Sequence, residues 1–255
     1  VNEALFIRGF VAMAEKNGWH YNLIEAFDQP WKRASEGAVG GYWGLYDADR
    51  HDKGILEGPV SNLAFWPQWL AASVALFLAT LLLAGPVRTT RNALALPLLA
   101  AIGAASIGLW GELARTNSRF VGEWLWVVLL AGLNLLVLAH GALALASREG
   151  WRQRAFAWLE ARAGAWVLAA GFATAVSMLA LVFDPRYRSF PSAAFVLPAL
   201  VYLLRPVKVA KAEVTLLAVI VGVGIVPQLY REGLASQPAW GWAAISVLMT
   251  LALWR

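Results

Sequence analysis

Apolar and polar positions divide the 255-residue chain into two regimes. From residue 64 onward seven apolar runs recur, at about 64–85, 93–111, 121–146, 163–183, 190–204, 212–229 and 239–254. A helix needs about 20 residues, with a range of about 17–25, to cross a bilayer. The first four runs reach that length comfortably. The fifth and seventh are short, and a short span is accommodated by local thinning of the bilayer or by borrowed flanking residues. The pattern predicts a polytopic helical membrane bundle of about seven spans over residues 64–255.

Residues 1–63 read differently. Asn2 is placed to cap a helix over about 3–17, with Leu5, Phe6, Phe10, Met13 and Ala14 as its apolar stripe and Gly18 as its C′ stop. A short apolar run from Leu23 to Phe27, interrupted only by Glu25, predicts a buried strand over 21–27 that Pro30 ends. Its tip delivers Asp28, Gln29, Trp31 and Lys32. A strand whose C-terminal end carries charged and aromatic groups suits the mouth of an α/β barrel. Four glycines around Tyr42 and Trp43 follow, a composition that allows tight turns beside flat rings.

Composition agrees with a mostly membrane-embedded chain. Hydrophobic residues make up 60% and charged residues 15%, against roughly 25% charged in soluble domains. Mean hydropathy is +0.58. There is no cysteine, and the three histidines, His20, His51 and His140, are widely spaced, which argues against a zinc-type metal site. Asp47, Asp49 and Asp52 lack the glycine and distal glutamate of a calcium loop. No cofactor is expected.

Charge is unevenly spread. Residues 1–63 hold six Lys/Arg against nine Asp/Glu, a net −3, which leaves +8 for the remainder. An acidic soluble module joined to basic membrane loops argues against a nucleic-acid partner. Arg88, Arg91, Arg148, Arg152, Arg154, Arg162, Arg205, Lys208, Lys211 and Arg255 fall on one side of the predicted spans. Arg115, Arg119, Arg186, Arg188 and Arg231 fall on the other. The positive-inside rule puts the first set in the cytoplasm and residues 1–63 outside.

Trp66, Trp69, Trp110, Trp124, Trp126, Trp240 and Trp242 fall near predicted outer ends, as an aromatic belt would. Trp151, Ala155, Trp158 and Leu159 recur at helical spacing opposite Arg152, Arg154 and Arg162, which predicts an interfacial helix or a basic linker. Asn134 and His140, six residues apart, are expected on different faces, and Glu112, Glu123 and Glu213 at segment ends within reach of water. Pro97, Pro198 and Pro227 are expected to kink or break their helices. Gly132, Gly141, Gly171, Gly222 and Gly224 would permit close helix packing. No cluster of facing intramembrane polar groups, phosphate-binding loop or paired Asp motif of glycosyltransferase type is visible.

The stretch Ile24-Glu25-Ala26-Phe27-Asp28-Gln29-Pro30-Trp31-Lys32, followed by Gly41-Tyr42-Trp43-Gly44-Leu45-Tyr46-Asp47 and Gly58-Pro59-Val60, resembles the end of glycoside hydrolase family 17. That family comprises β-1,3-glucanases and transglycosylases built on a (β/α)8 barrel. The likeness is to its bacterial branch, in which the domain is fused to membrane spans and associated with β-1,3/β-1,6-glucan synthesis or remodelling. It covers about residues 1–60. It implies that residues 1–63 are the C-terminal remnant of such a barrel: last helix, last strand and closing loop. A barrel needs roughly 200 residues or more, so the chain is expected to be the C-terminal part of a larger protein.

The resemblance implies a retaining mechanism with two glutamates about 5–5.5 Å apart. Both come from earlier strands, so no catalytic residue is expected in this chain. Glu25, Asp28, Gln29, Trp31 and Lys32 match the eighth strand and its loop, and with Tyr42 and Trp43 they are the implied substrate-binding residues. Gln29 stands where many relatives carry an acid. The same residues also have a purely structural reading, with Glu25–Lys32 as an ion pair and Trp31 and Trp43 as barrel-closing core. The implied partners are a β-glucan, the lipid bilayer and a glycosyltransferase module or subunit, at a bacterial inner membrane. The alternative from another class is a non-catalytic transporter or assembly factor whose outer module binds glycan.

Overall fold

Long uncharged runs leave the backbone polar groups no partner in lipid except one another, which makes helices the expected outcome. In a computed structural model of the chain, which describes residues 1–147, 149–183 and 189–255, helices dominate. Beyond the N-terminal module they are α3 (Trp66–Ala84), α4 (Thr90–Asn117), α5 (Val121–Leu145), α6 (Gly150–Glu160), α7 (Ala163–Phe183), α8 (Ala193–Leu204), α9 (Lys211–Glu232) and α10 (Gln237–Trp254). Helices α3, α4, α5, α7 and α9 are long and apolar enough to cross a bilayer. The chain is therefore a helical membrane protein. Helix α8, at 12 residues and a rise of about 1.5 Å each, covers only about 18 Å.

The sequence underestimates α4, which runs on through Glu112, Arg115 and Asn117; apolarity marks the lipid-facing run and not the helix end. Pro97, Pro198 and Pro227 each lie inside a continuous helix. None ends its element, because packing in the bundle outweighs the lost backbone bond.

The core is built from α4, α5 and α7–α10, with Trp242, Tyr202, Phe195 and Met178 fully buried. Phe195 and Trp242 meet edge to face at 5.5 Å. Two residues assigned by sequence to the aromatic belt are thus core: Trp242 is fully buried, and Trp110 is buried with its Nε1–H donating to Val127 O at 3.3 Å. Trp66, Trp124 and Trp240 remain exposed. The glycines divide similarly. A Cβ on Gly141, Gly171 or Gly224 would strike Leu99, Leu253 or Met178, whereas Gly132 and Gly222 face open space.

Interhelical bonds sort the loops onto two ends. At one end Ser147 N–H donates to Pro86 O (2.7 Å), Asn92 Nδ2 to Leu145 O (2.7 Å), Arg152 Nε to Leu83 O (2.9 Å) and Arg255 Nη1 to Leu203 O (3.0 Å). At the other, Ser189 Oγ donates to Asn117 Oδ1 at 3.1 Å and Arg231 reaches Val182 O. Arg148, Arg186 and Arg188, counted in the loop charges, lie outside the described residues. The predicted helix between α5 and α7 is α6, but its faces differ from the expectation. Phe156 and Leu159 turn inward against Leu143, Trp151 and Trp158 stay exposed, and Arg152 points back to the end of α3.

Helix α1 (Asn2–Asn17) ends where predicted, at Gly18 in the left-handed conformation (φ 64°). Its N-cap is Val1 and not Asn2. Ala4 and Ala14 are buried, while Leu5, Phe6 and Met13 of the expected stripe are exposed. The buried strand over 21–27 does not form. Among the described residues there are only isolated bridges, here Phe27 parallel to Tyr46 and Tyr46 antiparallel to Asp52. Ile24 is 80% exposed. A buried strand has neighbours on both sides, whereas an edge leaves its backbone groups unpaired, and this stretch is bridged on one side only, at Phe27.

Candidate functional site

The polar site of the N-terminal module grows from that short pairing. Leu45 N–H donates to Glu25 O (3.3 Å), Tyr46 N–H to Ala26 O (2.9 Å), and Asp28 N–H to Tyr46 O (2.9 Å). Gly44 sits where the two segments touch: a Cβ there would lie 2.2 Å from Asp28 N and 2.3 Å from Phe27 C. Backbone cannot retreat as a side chain can, so this glycine is fixed by close approach. Pro30 opens a 3-10 turn, Pro30–Lys32, leading into the short α2 (Arg33–Glu36). Its fixed φ suits a first helical position. The turn swings Lys32 back onto Glu25, and the two form an ion pair.

Each carboxylate of the pairing holds a lysine. Asp28 Oδ1 accepts from Lys53 Nζ at 2.8 Å and from Gly44 N–H at 2.9 Å. Lys53 also donates to Tyr42 O and Gly44 O, at 2.7 and 2.8 Å. Asp28 is buried and acts as the knot of the loop, while Glu25 stays half-buried. Glu25 adopts φ +65°, a left-handed conformation costly for a residue with a Cβ. Its second oxygen, Oε2, is buried without a partner. The hydrogen bond to Glu25, with the carboxylate charge beside it, raises the Lys32 ammonium above its ordinary value.

The structure therefore sets two ion pairs, Glu25–Lys32 and Asp28–Lys53, on one short pairing, with Tyr42 contributing its backbone carbonyl to Lys53. Trp31, Tyr42 and Trp43 are exposed, Trp31 at 69%, with Lys32 Nζ 5.8 Å from the Trp31 ring and the Arg33 guanidinium 5.3 Å from the Tyr42 ring. Gln29 is half-buried and precedes the turn, its carbonyl accepting from Lys32 N–H. Exposed rings beside paired charges can stack on and hydrogen-bond a hydroxyl-rich ligand.

Nearby, Asp47, Asp49 and His51 bring ligand atoms within 4.8 Å of one another. Asp47 spends its oxygens on Asp49 N–H, His51 N–H and the His51 ring, and the backbone bond from His51 is the largest cause holding its carboxyl below the ordinary range. The cluster is a closed turn.

The module is tied to the bundle. Arg33 Nη2 donates to Thr116 O and Ser118 O at 2.9 and 2.8 Å, capping the end of α4. Phe65 N–H, at the start of α3, donates to Glu112 Oε1 at 2.9 Å. Glu112 is 2% exposed, a correction to the expectation that it reaches water: its Oε1 meets one backbone donor at the N-terminus of α3. Beside this junction a cavity of about 360 Å³ opens between α4, α5 and α7, touched by Ala38 of the module.

At the opposite end lies a group that sequence reading missed. His140 is fully buried, with Nε2 2.6 Å from Glu160 Oε2, which in turn accepts from Arg205 Nη2 at 3.0 Å. The rings of Phe156 and Tyr202 lie 5.7 and 6.3 Å from the His140 ring. Asn134 is also buried and donates to Ala194 O at 2.8 Å. Both residues of α5 thus meet α8 despite their spacing. The cluster was invisible because its members come from α5, α6 and α8; the one clue was a lone glutamate at the end of an otherwise basic helix.

Helices that can cross a bilayer, preceded by an N-terminal module with paired charges and exposed rings, define a helical membrane protein. No protein-family profile, curated protein or solved structure matches this chain.

Proposed function

We propose that the chain is the membrane-embedded C-terminal part of a β-glucan-active enzyme of glycoside hydrolase family 17 type. It cleaves or transfers β-1,3- or β-1,6-glucan by retaining double displacement outside a bacterial inner membrane. In this reading α8 and α10 complete a seven-span bundle, the cap is the end of a (β/α)8 barrel facing the periplasm, and the basic end faces the cytoplasm. The catalytic glutamate pair belongs to residues outside this sequence. A glycosyltransferase module or subunit is the expected partner.

The observation that carries the reading is the knot at the tip of the 24–28 segment. Glu25 and Asp28, each held by a lysine, stand beside exposed Trp31, Tyr42 and Trp43. Support also comes from the apolar surface at Leu5, Phe6, Met13 and Ile24, which is uncovered and fits burial against further barrel elements. Trp31 and Tyr42 would stack on sugar rings. Glu25 and Lys32 would bind hydroxyls, and Asp28 would hold the loop in shape.

The test is made in the longer protein that contains the barrel. Trp31→Ala and Glu25→Gln are expected to lower glucan turnover at least about tenfold while folded yield stays near wild type. Parallel loss of both quantities would mark these residues as structural and remove the reading. A second reading, a transporter or assembly factor with a glycan-binding cap, is favoured by one observation: a mere anchor has no need of a fully buried His140 tied to the exposed Glu160–Arg205 pair.

A further inference from the structure

Helix α6 lies where the apolar spans end. Arg152 Nε donates to Leu83 O beside the last residue of α3, and Phe156 and Leu159 pack on Leu143 near the end of α5. The outward face of α6 carries Trp151, Arg154 and Trp158 at helical spacing, with Arg162 in the turn that follows, all exposed. The Arg162 guanidinium lies 4.4 Å from the Trp158 ring centroid, and the Trp158 and Trp166 rings are 6.0 Å apart. The 207–209 segment closes on this corner: a Cβ on Gly164 would meet Lys208 O at 3.7 Å and Val209 Cγ1 at 3.8 Å. Val207 and Val209 pack on the core, and Lys208 between them is exposed. Arg162 and Lys208 thus flank the first turn of α7, where the positive end of that helix dipole also lies.

We infer that this corner binds an anionic phospholipid, its phosphate between Arg162 and Lys208 and its glycerol and upper acyl chains against Trp158 and Trp166. Charge selects the anion. Among the described residues, α6 with the loops and helix ends on this side holds nine Lys/Arg against three Asp/Glu. Of the three, Glu160 is already shared by His140 and Arg205. None of Arg154, Arg162, Lys208 and Lys211 forms an ion pair with a described carboxylate. Depth selects the lipid. Trp151 and Trp158, 48% and 47% exposed, stand at the level where the spans stop, which is the headgroup level of a bilayer. A soluble polyanion would leave those rings in water. Basic pockets between helix ends suit anionic headgroups, and each cation near the surface adds to the attraction.

The experiment is native mass spectrometry of the full chain in neutral detergent, with dioleoylphosphatidylglycerol or dioleoylphosphatidylcholine added. The two lipids share their acyl chains and differ in charge. The anionic lipid is expected to be retained about tenfold better. Arg162→Gln with Lys208→Gln should bring it down to the level of the zwitterionic lipid, and Lys208→Glu alone serves if the double variant misassembles. Arg162→Lys, which keeps the charge, should preserve the preference. Arg88→Gln with Arg91→Gln removes the same charge from exposed positions at the same end and should leave retention unchanged. Equal retention of both lipids, no loss in the Arg162/Lys208 variants, or equal loss in the Arg88/Arg91 variant would each overturn the inference. Displacement of the lipid by excess inorganic phosphate or by polyglutamate would show that any anion suffices, and would overturn the lipid assignment. Neither cation belongs to the N-terminal module, so lipid retention and glucan turnover fail separately.

Discussion

His140 Nε2 and Glu160 Oε2 are 2.6 Å apart and join the buried interior of α5 to the last residue of the surface helix α6. Arg205 closes the group from the end of α8 through the same oxygen. One carboxylate thus fastens three helices at the basic end of the bundle. Burial pushes Glu160 up, yet the bond to His140 and the nearby Arg205 charge pull it down further, so its carboxyl sits below the ordinary range.

Removing that carboxylate leaves a buried imidazole and a guanidinium facing each other. Glu160→Ala is expected to loosen α6 by about 1–3 kcal/mol, the worth of hydrogen bonds to charged groups. Faster tryptic cleavage at Arg152 and Arg154 is the readout. Because the folded carboxyl is depressed, its contribution is complete above the ordinary glutamate range and is lost as pH falls through the lowered value. The hydrogen-exchange protection factors of residues 150–160, taken relative to the intrinsic rate at each pH, are therefore expected to fall in acid in the wild type and to change little in Glu160→Ala.

Asp28 organises the cap through Gly44 N–H and Lys53. Its side chain is 6% exposed and that of Lys53 22%, so truncation strands a largely buried ammonium. Asp28→Ala is expected to cost about 3–5 kcal/mol of cap stability, the usual result of breaking a buried pair. Asp28→Asn keeps an acceptor for Gly44 and should cost less. Protease resistance of residues 1–63, with the bundle intact, measures both.

The Glu25–Lys32 pair has the opposite pH sense. A lysine raised in the folded state contributes fully below the ordinary lysine range, and that contribution is lost as pH rises through the raised value. Trp31 fluorescence is expected to shift in strong alkali, and Lys32→Met should remove the shift. Trp31→Ala, at an exposed position, is expected to change stability by no more than about 0.5 kcal/mol.

Two glycines of the bundle are expected to respond in opposite directions. A Cβ on Gly108 would lie 2.0 Å from Ser73 Oγ and 3.2 Å from Trp69 O. Gly108→Ala should therefore push α3 from α4 and cost about 1–3 kcal/mol, as overpacking does. Gly222 has nothing within 4 Å of its Cβ position. There Gly→Ala should gain up to about 1 kcal/mol of helix propensity. Thermal aggregation midpoints of the two variants in one detergent decide the matter.

Much of the bundle was legible in the linear pattern. Helices α3, α5, α7 and α9 fall where uninterrupted apolarity placed them, and Gly18 stops α1 as its lack of a Cβ allows. The strand over 21–27 was misplaced because its apolar residues fit a buried strand only when neighbours flank it on both sides. The Gly44 contact with Asp28 was equally hidden, since composition suggests a turn where the fold has a close crossing.

By itself, the sequence determined that this protein is helical and belongs in a bilayer, because twenty consecutive apolar residues have few other solutions in water or lipid. It also determined which loops are basic. The Glu25–Lys32 ion pair was among its readings. Only the tertiary structure decided that Trp242 is core and not belt, that Glu112 caps α3, and that Asp28 takes Lys53 from further along the chain. It alone assembled His140, Glu160 and Arg205. Helix formation depends on neighbours three or four positions away, which a linear pattern records. A polar group's partner depends on which helices lie side by side, and no spacing along the chain encodes that.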